Sequence, residues 1–286
     1  MIDFHTHPVQ IADLYDSDPT FTYAVRDVFG LYMKPQPIET YFRQLDEAGI
    51  ERAVLLPIDC TTAHGCTIVS NAQVAALMER SERLIGFASV DPGQPDAAEK
   101  LARDVSAYGL SGLKLDPALQ QFALDDEQRA WPIYATAQEL SLPVLVHCGL
   151  SWAKVGRAAS AHPLALESVV HAFPNLRLVI AHLGWPWVTE AVMLAVKHRS
   201  VHLDTSVLFS GTPSDALRHV VNNVIGRELF DRSLPDQIVF GSNYPRVDPK
   251  RAVWAIRELG LRPRLEQRIF NDNAVALLTP NAEVAR

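Results

Sequence analysis

Residues 143–148 read PVLVHC, an unbroken aliphatic run that ends in a histidine and a cysteine. An unbroken apolar run is typical of a parallel strand that helices cover on both faces, whereas a strand with one solvated face alternates apolar and polar residues. Seven other short runs that are rich in aliphatic or β-branched residues predict further strands. They occupy residues 2–5, 52–58, 84–90, 110–116, 176–182, 201–206 and 237–242.

Segments with the spacing of amphipathic helices lie between these runs; Ile38, Tyr41 and Leu45, for example, fall on one face. Eight strand–helix units of roughly 36 residues each predict an α/β fold, the (β/α)8 TIM barrel, as a single domain over residues 1–286. A doubly wound open sheet is the alternative, but it normally has fewer strands and a glycine-rich first turn. The long connection at about residues 8–36 follows the first strand, so we expect it at the mouth of the barrel, where active sites are built.

The composition excludes several classes of partner. The chain has 286 residues, is 48% hydrophobic and carries a formal net charge of −7, which gives no footprint for nucleic acid. It has no run of about 18 apolar residues that would span a membrane and no secretory signal, so the expected location is the cytoplasm. Cys60, Cys66 and Cys148 show no CxxC spacing and are expected as free thiols. We expect a small-molecule substrate, and assembly into a homo-oligomer stays open.

Four histidines fall at the carboxyl ends of predicted strands. They are His5, His7, His147 and His182. In a closed barrel these strand ends surround one mouth, and His5 and His7 project the same way because alternate strand residues do. A single histidine there is usually a hydrogen-bonded core residue, but four together favour a catalytic metal site with imidazole ligands. His171 and His198 fall in loops or helices and are interpreted as ordinary structural residues.

Seven motifs, in this order, resemble the amidohydrolase 2 branch of the amidohydrolase superfamily. They are DFHTHP, LIGFASVDP, GLKLDP, LPVLVHCG, IAHLGWPW, LDTS and FGSNYP. The resemblance extends from residue 2 to about residue 278 and implies a metal-dependent TIM-barrel hydrolase or nonoxidative decarboxylase. It implies that His5, His7 and His147 hold one divalent metal ion, with zinc the expected ion. It also implies that His182 polarises the metal-bound water or the substrate.

The chain departs from this family at the end of the eighth strand, where Asn243 stands in place of the usual aspartate. An asparagine offers a neutral carbonyl oxygen but cannot accept a proton near neutral pH. Three possibilities follow. His182 transfers the proton unaided, or Asp248 replaces the missing aspartate, or the barrel is catalytically impaired and only binds a small molecule. The main hypothesis is a hydrolase of a small carboxylated or cyclic lactone, ester or amide, with Asn243 positioning the water. The alternative is a decarboxylase of a small aromatic or unsaturated acid.

Other candidate site residues follow the predicted strands. Lys114 ends strand four as a carboxylated lysine or, as we favour, a plain ammonium that binds a substrate carboxylate or pairs with Asp116. Asp204 is expected either to orient His182 or to make a structural hydrogen bond within the barrel, and Ser206 is a weaker candidate of the same kind. The remaining candidates would wall the substrate pocket or clamp a carboxylate. They are Trp152, Trp185, Arg26 and Arg246.

Overall fold

The computed structural model describes residues 1–206 and 211–280. Its strands are β1 (Ile2–Thr6), β2 (Arg52–Leu55), β3 (Ile58–Cys60), β4 (Cys66–Ile68), β5 (Leu84–Gly86), β6 (Leu113–Leu115), β7 (Pro143–Val146), β8 (Arg177–Ile180), β9 (Val201–Asp204) and β10 (Ile238–Val239). All eight predicted strands are present. That residues 1–286 form one domain stays a prediction, because 207–210 and 281–286 lie outside the described ranges.

Eight of these strands form a closed parallel barrel. One sheet has the order β1-β2-β5 and the other the order β10-β9-β8-β7-β6. Backbone hydrogen bonds join the two sheets at both seams. At the first seam Lys114 N donates to Ala88 O at 2.7 Å, and at the second Phe4 N donates to Phe240 O at 2.8 Å. The predicted TIM barrel is therefore confirmed.

The sequence did not predict β3 and β4. These strands form an antiparallel hairpin after β2, with Ile58 opposite Ile68 and Cys60 opposite Cys66. The run at 52–58 thus ends as a barrel strand at Leu55 and then leaves the barrel. All three cysteines are free, as expected.

Helices cover the outside of the barrel. They are α1 (Ala12–Ser17), α2 (Phe21–Tyr23), α3 (Ile38–Ala48), α4 (Thr61–His64), α5 (Asn71–Met78), α6 (Ala97–Tyr108), α7 (Pro117–Gln120), α8 (Trp131–Glu139), α9 (Leu166–Ala172), α10 (Val188–Lys197), α11 (Pro213–His219), α12 (Arg227–Ser233), α13 (Pro249–Arg257), α14 (Pro263–Gln267) and α15 (Asn273–Leu278). Short 3-10 segments occur at Ala158–Ala161, Pro163–Ala165 and Ala181–Gly184, and π-helical segments at Ala24–Val28, Val220–Gly226 and Arg268–Asp272. None of the helices in the described ranges is long and apolar enough to cross a membrane.

The helix boundaries follow from local chemistry. Proline opens α11, α13 and α14, where its missing N–H costs no hydrogen bond. Gly49 ends α3 at φ 71°, a left-handed conformation that glycine adopts without steric cost. Between these ends α3 buries Ile38, Tyr41 and Leu45 against the barrel, as the sequence spacing predicts.

The barrel interior is a small apolar cluster that includes Ile2, Phe4, Phe87, Leu145 and Val239, each from or next to a barrel strand. Strict alternation along β1 would turn His5 away from the side that Phe4 faces. The pairing of β1 with β2 shifts in register between Asp3 and Thr6, and such an irregularity re-aims side chains. His5 consequently reaches Asp204 at the end of β9, two strands away around the barrel.

Candidate active site

A narrow cavity of about 30 Å³ opens at the carboxyl ends of the barrel strands. Its lining comprises His7, Phe29, Asp116, Leu119, His147, Ser151, Trp152, Ala153, His182, Asn243 and Arg246. Six of the residues singled out as site candidates from the sequence are thus brought together: His7, His147, Trp152, His182, Asn243 and Arg246. His5, Lys114 and Asp204 are buried next to the cavity and do not line it.

Two candidate residues lie away from the cavity lining. Arg26 is exposed on the π-helical segment Ala24–Val28. Trp185 is partly buried and packs against the hydrophobic core that surrounds the barrel. A substrate-binding role for Arg26 or Trp185 therefore stays a prediction.

The Nε2 atoms of His5 and His7 point toward each other. His5 Nδ1 lies 2.7 Å from Asp204 Oδ2, and His7 Nδ1 lies 3.0 Å from the carbonyl oxygen of Leu56. A carboxylate and a carbonyl only accept hydrogen bonds, so both Nδ1 atoms carry the proton. Each Nε2 atom consequently presents a lone pair, and the two Nε2 atoms are 3.2 Å apart.

Both rings are neutral at physiological pH. Burial holds the pKa of His5 and of His7 well below the ordinary value of 6.5, and the Lys114 ammonium adds to the effect. Two lone pairs at 3.2 Å repel, and a cation between them would turn this repulsion into attraction. The separation matches the roughly 3.3 Å between two nitrogens that lie 2.0–2.1 Å from one tetrahedral ion. The pair therefore fits a divalent metal.

His147 and Asn243 each aim an unsatisfied atom into the same region. His147 Nε2 and Asn243 Oδ1 are buried and have no hydrogen-bond partner in the part of the chain that is described. Because buried polar atoms are almost always paired, two such atoms lining one cavity indicate a missing ligand. His147 Nδ1 is 3.1 Å from His182 Nε2, which is consistent with donation from His147 and a lone pair on its Nε2.

Asp204 is the central acceptor behind these rings. Its Oδ2 accepts from His5 Nδ1, and its Oδ1 accepts from the backbone N–H groups of His182 and Ser206 at 2.9 Å each and from the Ser206 hydroxyl. The ring of His182 instead contacts Ser206, with 2.8 Å between Nδ1 and Oγ. Ligand-type atoms of His5, His182 and Asp204 lie within 4.8 Å of one another, close enough to hold a metal. Both Asp204 oxygens, however, already accept hydrogen bonds.

Lys114 is 1% exposed. Burial lowers its pKa from 10.5, while the carboxylates of Asp116 and Asp204 act in the opposite direction. Burial is the main cause of the lowered pKa of His147 and of His182, and the Lys114 ammonium is a smaller cause that acts in the same direction. The Lys114 ammonium thus lies close enough to both histidines to disfavour their protonated forms.

Arg246 forms one wall of the cavity. Its guanidinium lies 4.5 Å from the centre of the Phe29 ring, and its Nη2 donates to the Phe29 carbonyl at 2.5 Å. Burial lowers the pKa of Arg246 to about 10, so the side chain is still a cation at neutral pH. Phe29 belongs to the long first connection, which the sequence predicted at the mouth. Trp152, 55% exposed, lines the cavity with them.

Asn243 has a left-handed backbone, with φ 58°, a conformation in which asparagine is enriched. Its N–H donates to the carbonyl of His5 at 2.8 Å, which ties the end of the last barrel strand to the first. Asp248 is exposed and caps α13 by accepting from Lys250 N at 2.8 Å, so it does not line the cavity. It is not positioned to replace the aspartate that Asn243 displaces.

The carboxylate that does line the cavity is Asp116. Its Oδ1 caps α7 by accepting from Leu119 N at 3.0 Å, and its Oδ2 lies 3.9 Å from His147 Nδ1. From the sequence, Asp116 was expected only as a partner for Lys114. Its position just after β6, equivalent to that of the histidines on their strands, was the signal that could have identified it.

The sequence and the fold were compared with known proteins. The family model described as "Amidohydrolase" matches residues 2–279. No curated protein matches the chain.

Solved structures resemble the chain over nearly its whole length. An uncharacterized TIM-barrel protein from Bordetella bronchiseptica is 24% identical, with a TM-score of 0.74 over 100% of this chain and 99% of that one. The 5-carboxyvanillate decarboxylase from Sphingomonas paucimobilis is 17% identical, with a TM-score of 0.66 over 98% and 99%. A probable 2-pyrone-4,6-dicarboxylic acid hydrolase from Acinetobacter baumannii is also 17% identical, with a TM-score of 0.65 over 97% and 98%. At these identities the likeness establishes the fold.

Proposed function

The chain belongs to the amidohydrolase family and is an enzyme of that type, and from that premise we propose that it is a metal-dependent hydrolase. It would cleave a small carboxylated or cyclic substrate, such as a lactone, ester or amide. The observation that carries the proposal is the pair of neutral imidazoles whose Nε2 atoms face each other at 3.2 Å. Such a pair has a physical reason to exist where a cation lies between the rings.

His5, His7 and His147 would hold the ion through their Nε2 atoms, with zinc as the expected ion. The Asn243 carbonyl oxygen, which has no hydrogen-bond partner among the described residues, either joins this set or holds a water beside it. When bound, a divalent ion in such a site lowers the pKa of a water and polarises a carbonyl.

Two further residues of the cavity lining, His182 and Asp116, would transfer protons or stabilise developing charge. His182 lines the cavity with a neutral ring, because burial and the neighbouring histidines hold its pKa well below 6.5. A neutral imidazole can accept a proton or hydrogen-bond a developing oxyanion. Asp116 lines the cavity from the end of β6, on the opposite side of the barrel from Asn243, and we propose it as the carboxylate that accepts a proton there.

The charge of the substrate follows from the residues that line the cavity. Arg246 presents a partly buried cation that would pair with a substrate carboxylate through charge-assisted hydrogen bonds. Trp152 offers a flat apolar surface beside it.

Nonoxidative decarboxylation is the second candidate. Arg246 also favours an acid substrate for this reaction, and the 5-carboxyvanillate decarboxylase shares the fold. Asn243 counts against it, because an amide cannot protonate the carbon that loses CO2. A barrel that binds a small molecule without turning it over is the third candidate, and its support is also Asn243.

A single set of assays separates the three candidates. Protein purified from zinc-supplemented medium is analysed for metal and assayed on a panel of lactones, esters and amides, and for CO2 release from hydroxybenzoates. We expect about one zinc per mouth site and hydrolysis that His5→Ala and His182→Asn abolish, whereas the exposed His219→Asn control is unaffected. Hydrolysis that survives both substitutions would contradict the proposal. Release of CO2 without hydrolysis would establish the decarboxylase. The absence of both activities would favour a barrel that only binds a small molecule.

A further inference from the structure

A second group of metal-ligand side chains lies in the outer helix layer. Glu167 and His171 are one turn apart on α9, and His198 directly follows α10. One ligand atom from each side chain lies within 4.8 Å of those from the other two. None of the three lines the mouth cavity. We propose that they form a separate binding site for a divalent metal ion such as Zn²⁺.

The donor set suits such an ion. Two imidazole nitrogens and one carboxylate oxygen are ligands that Zn²⁺ takes in proteins, with water completing the tetrahedron. His198 Nε2 is buried and has no hydrogen-bond partner among the described residues, an arrangement that a bound cation would satisfy.

The Glu167 carboxylate has a cationic neighbour. Lys197 Nζ lies 2.6 Å from Glu167 Oε1. The lysine therefore occupies one carboxylate oxygen and would repel a cation bound beside it.

The ligands come from two elements with fixed backbones. His198 N donates to Leu194 O at 2.8 Å, and the carbonyl of His198 accepts from Val201 N at 3.0 Å. The rings of His171 and His198 are nearly perpendicular, with centroids 5.3 Å apart. A bound ion would join α9 to the connection between α10 and β9. Because the ligands converge only in the folded chain, the ion would raise the stability of the barrel by mass action.

The test is a titration of the full chain with Zn²⁺ against a chromophoric chelator, together with thermal unfolding at each metal concentration. We expect His171→Asn to bind one equivalent less than the wild type and to show a smaller metal-dependent rise in Tm, because only the contribution of the mouth site remains. The matched control His219→Asn, which also removes an exposed histidine, should bind as the wild type does. Lys197→Met should tighten the second site by roughly tenfold, because it removes a competing cation.

The result does not depend on the mouth site. If the mouth binds no zinc, the wild type takes up one equivalent and His171→Asn takes up none. If His171→Asn and His198→Asn both keep the second equivalent with unchanged affinity, the assignment is overturned. An affinity that does not respond to Lys197→Met would also overturn it, because binding would then not involve Glu167.

Discussion

Replacing Asp204 with asparagine should weaken metal binding at the mouth while leaving the barrel folded. Asp204 Oδ1 accepts from two backbone N–H groups and from the Ser206 hydroxyl, so these donors would hold the amide oxygen of an asparagine in that place. The amide NH2 would then face His5 Nδ1, where Oδ2 now accepts at 2.7 Å. His5 would have to accept at Nδ1 and carry its proton on Nε2. The lone pair that faces His7 would disappear.

The size of the effect follows from this change of tautomer. Loss of the hydrogen-bond partner of a ligating histidine weakens metal binding by about 10–100-fold. Because the asparagine also moves the proton onto the ligating nitrogen, we expect the upper end, which corresponds to about 2.7 kcal/mol. The lost charge-assisted hydrogen bond should cost about 1.5–3 kcal/mol of folding free energy, less than a typical domain has.

The assay is competition for Zn²⁺ between the protein and a chromophoric chelator, with circular dichroism to verify folding. Asp248→Asn is the matched control, because Asp248 is an exposed cap of α13 and an asparagine caps a helix equally well. The control should bind zinc as the wild type does. If folded Asp204→Asn protein binds zinc at the mouth as tightly as the wild type, the tautomer argument is wrong.

Three further substitutions test other parts of the account. Asn243→Asp adds a negative charge beside the histidines and should tighten zinc binding by roughly tenfold in the same competition assay, and unchanged affinity would exclude position 243 from the site. Arg246→Met should raise KM for a carboxylated substrate by roughly tenfold or more while leaving its uncharged methyl ester unaffected, and equal effects on both would contradict the carboxylate clamp. His202→Gln should make the folded state more resistant to acid. Burial lowers the pKa of His202 from 6.5 to about 4, so its contribution to stability is present above pH 6.5 and is lost as the pH falls toward 4, by up to about 3 kcal/mol. Chemical denaturation at pH 4 and pH 7 should show a smaller loss in His202→Gln than in the wild type or in the exposed His219→Gln control, and equal losses would refute the assignment.

Much of the fold could be predicted from the sequence because apolar periodicity reports burial directly. The unbroken run at 143–148 indicates a strand that is covered on both faces, and the spacing in α3 indicates which helix face packs on the barrel. Placing His147 and His182 together needed only the rule that parallel strands end at one mouth. That rule depends on the order of elements and not on their detailed packing.

The parts that could not be predicted depend on irregular backbone. His5 reaches the interior through the register shift in β1, and alternation from Phe4 would have turned it outward. The hairpin of β3 and β4 consists of strands too short to produce a periodic signal. Arg246 contacts Phe29, 217 residues away in the chain, through a loop conformation that no local pattern encodes.

The central claim is that one metal ion lies between His5, His7 and His147, and anomalous diffraction at the zinc absorption edge tests it most directly. Crystals grown with zinc should show a peak at the mouth about 2.0–2.1 Å from the Nε2 atoms of the three histidines. A map with no anomalous peak at the mouth, and with a water hydrogen-bonded between His5 and His7 in its place, would contradict the account.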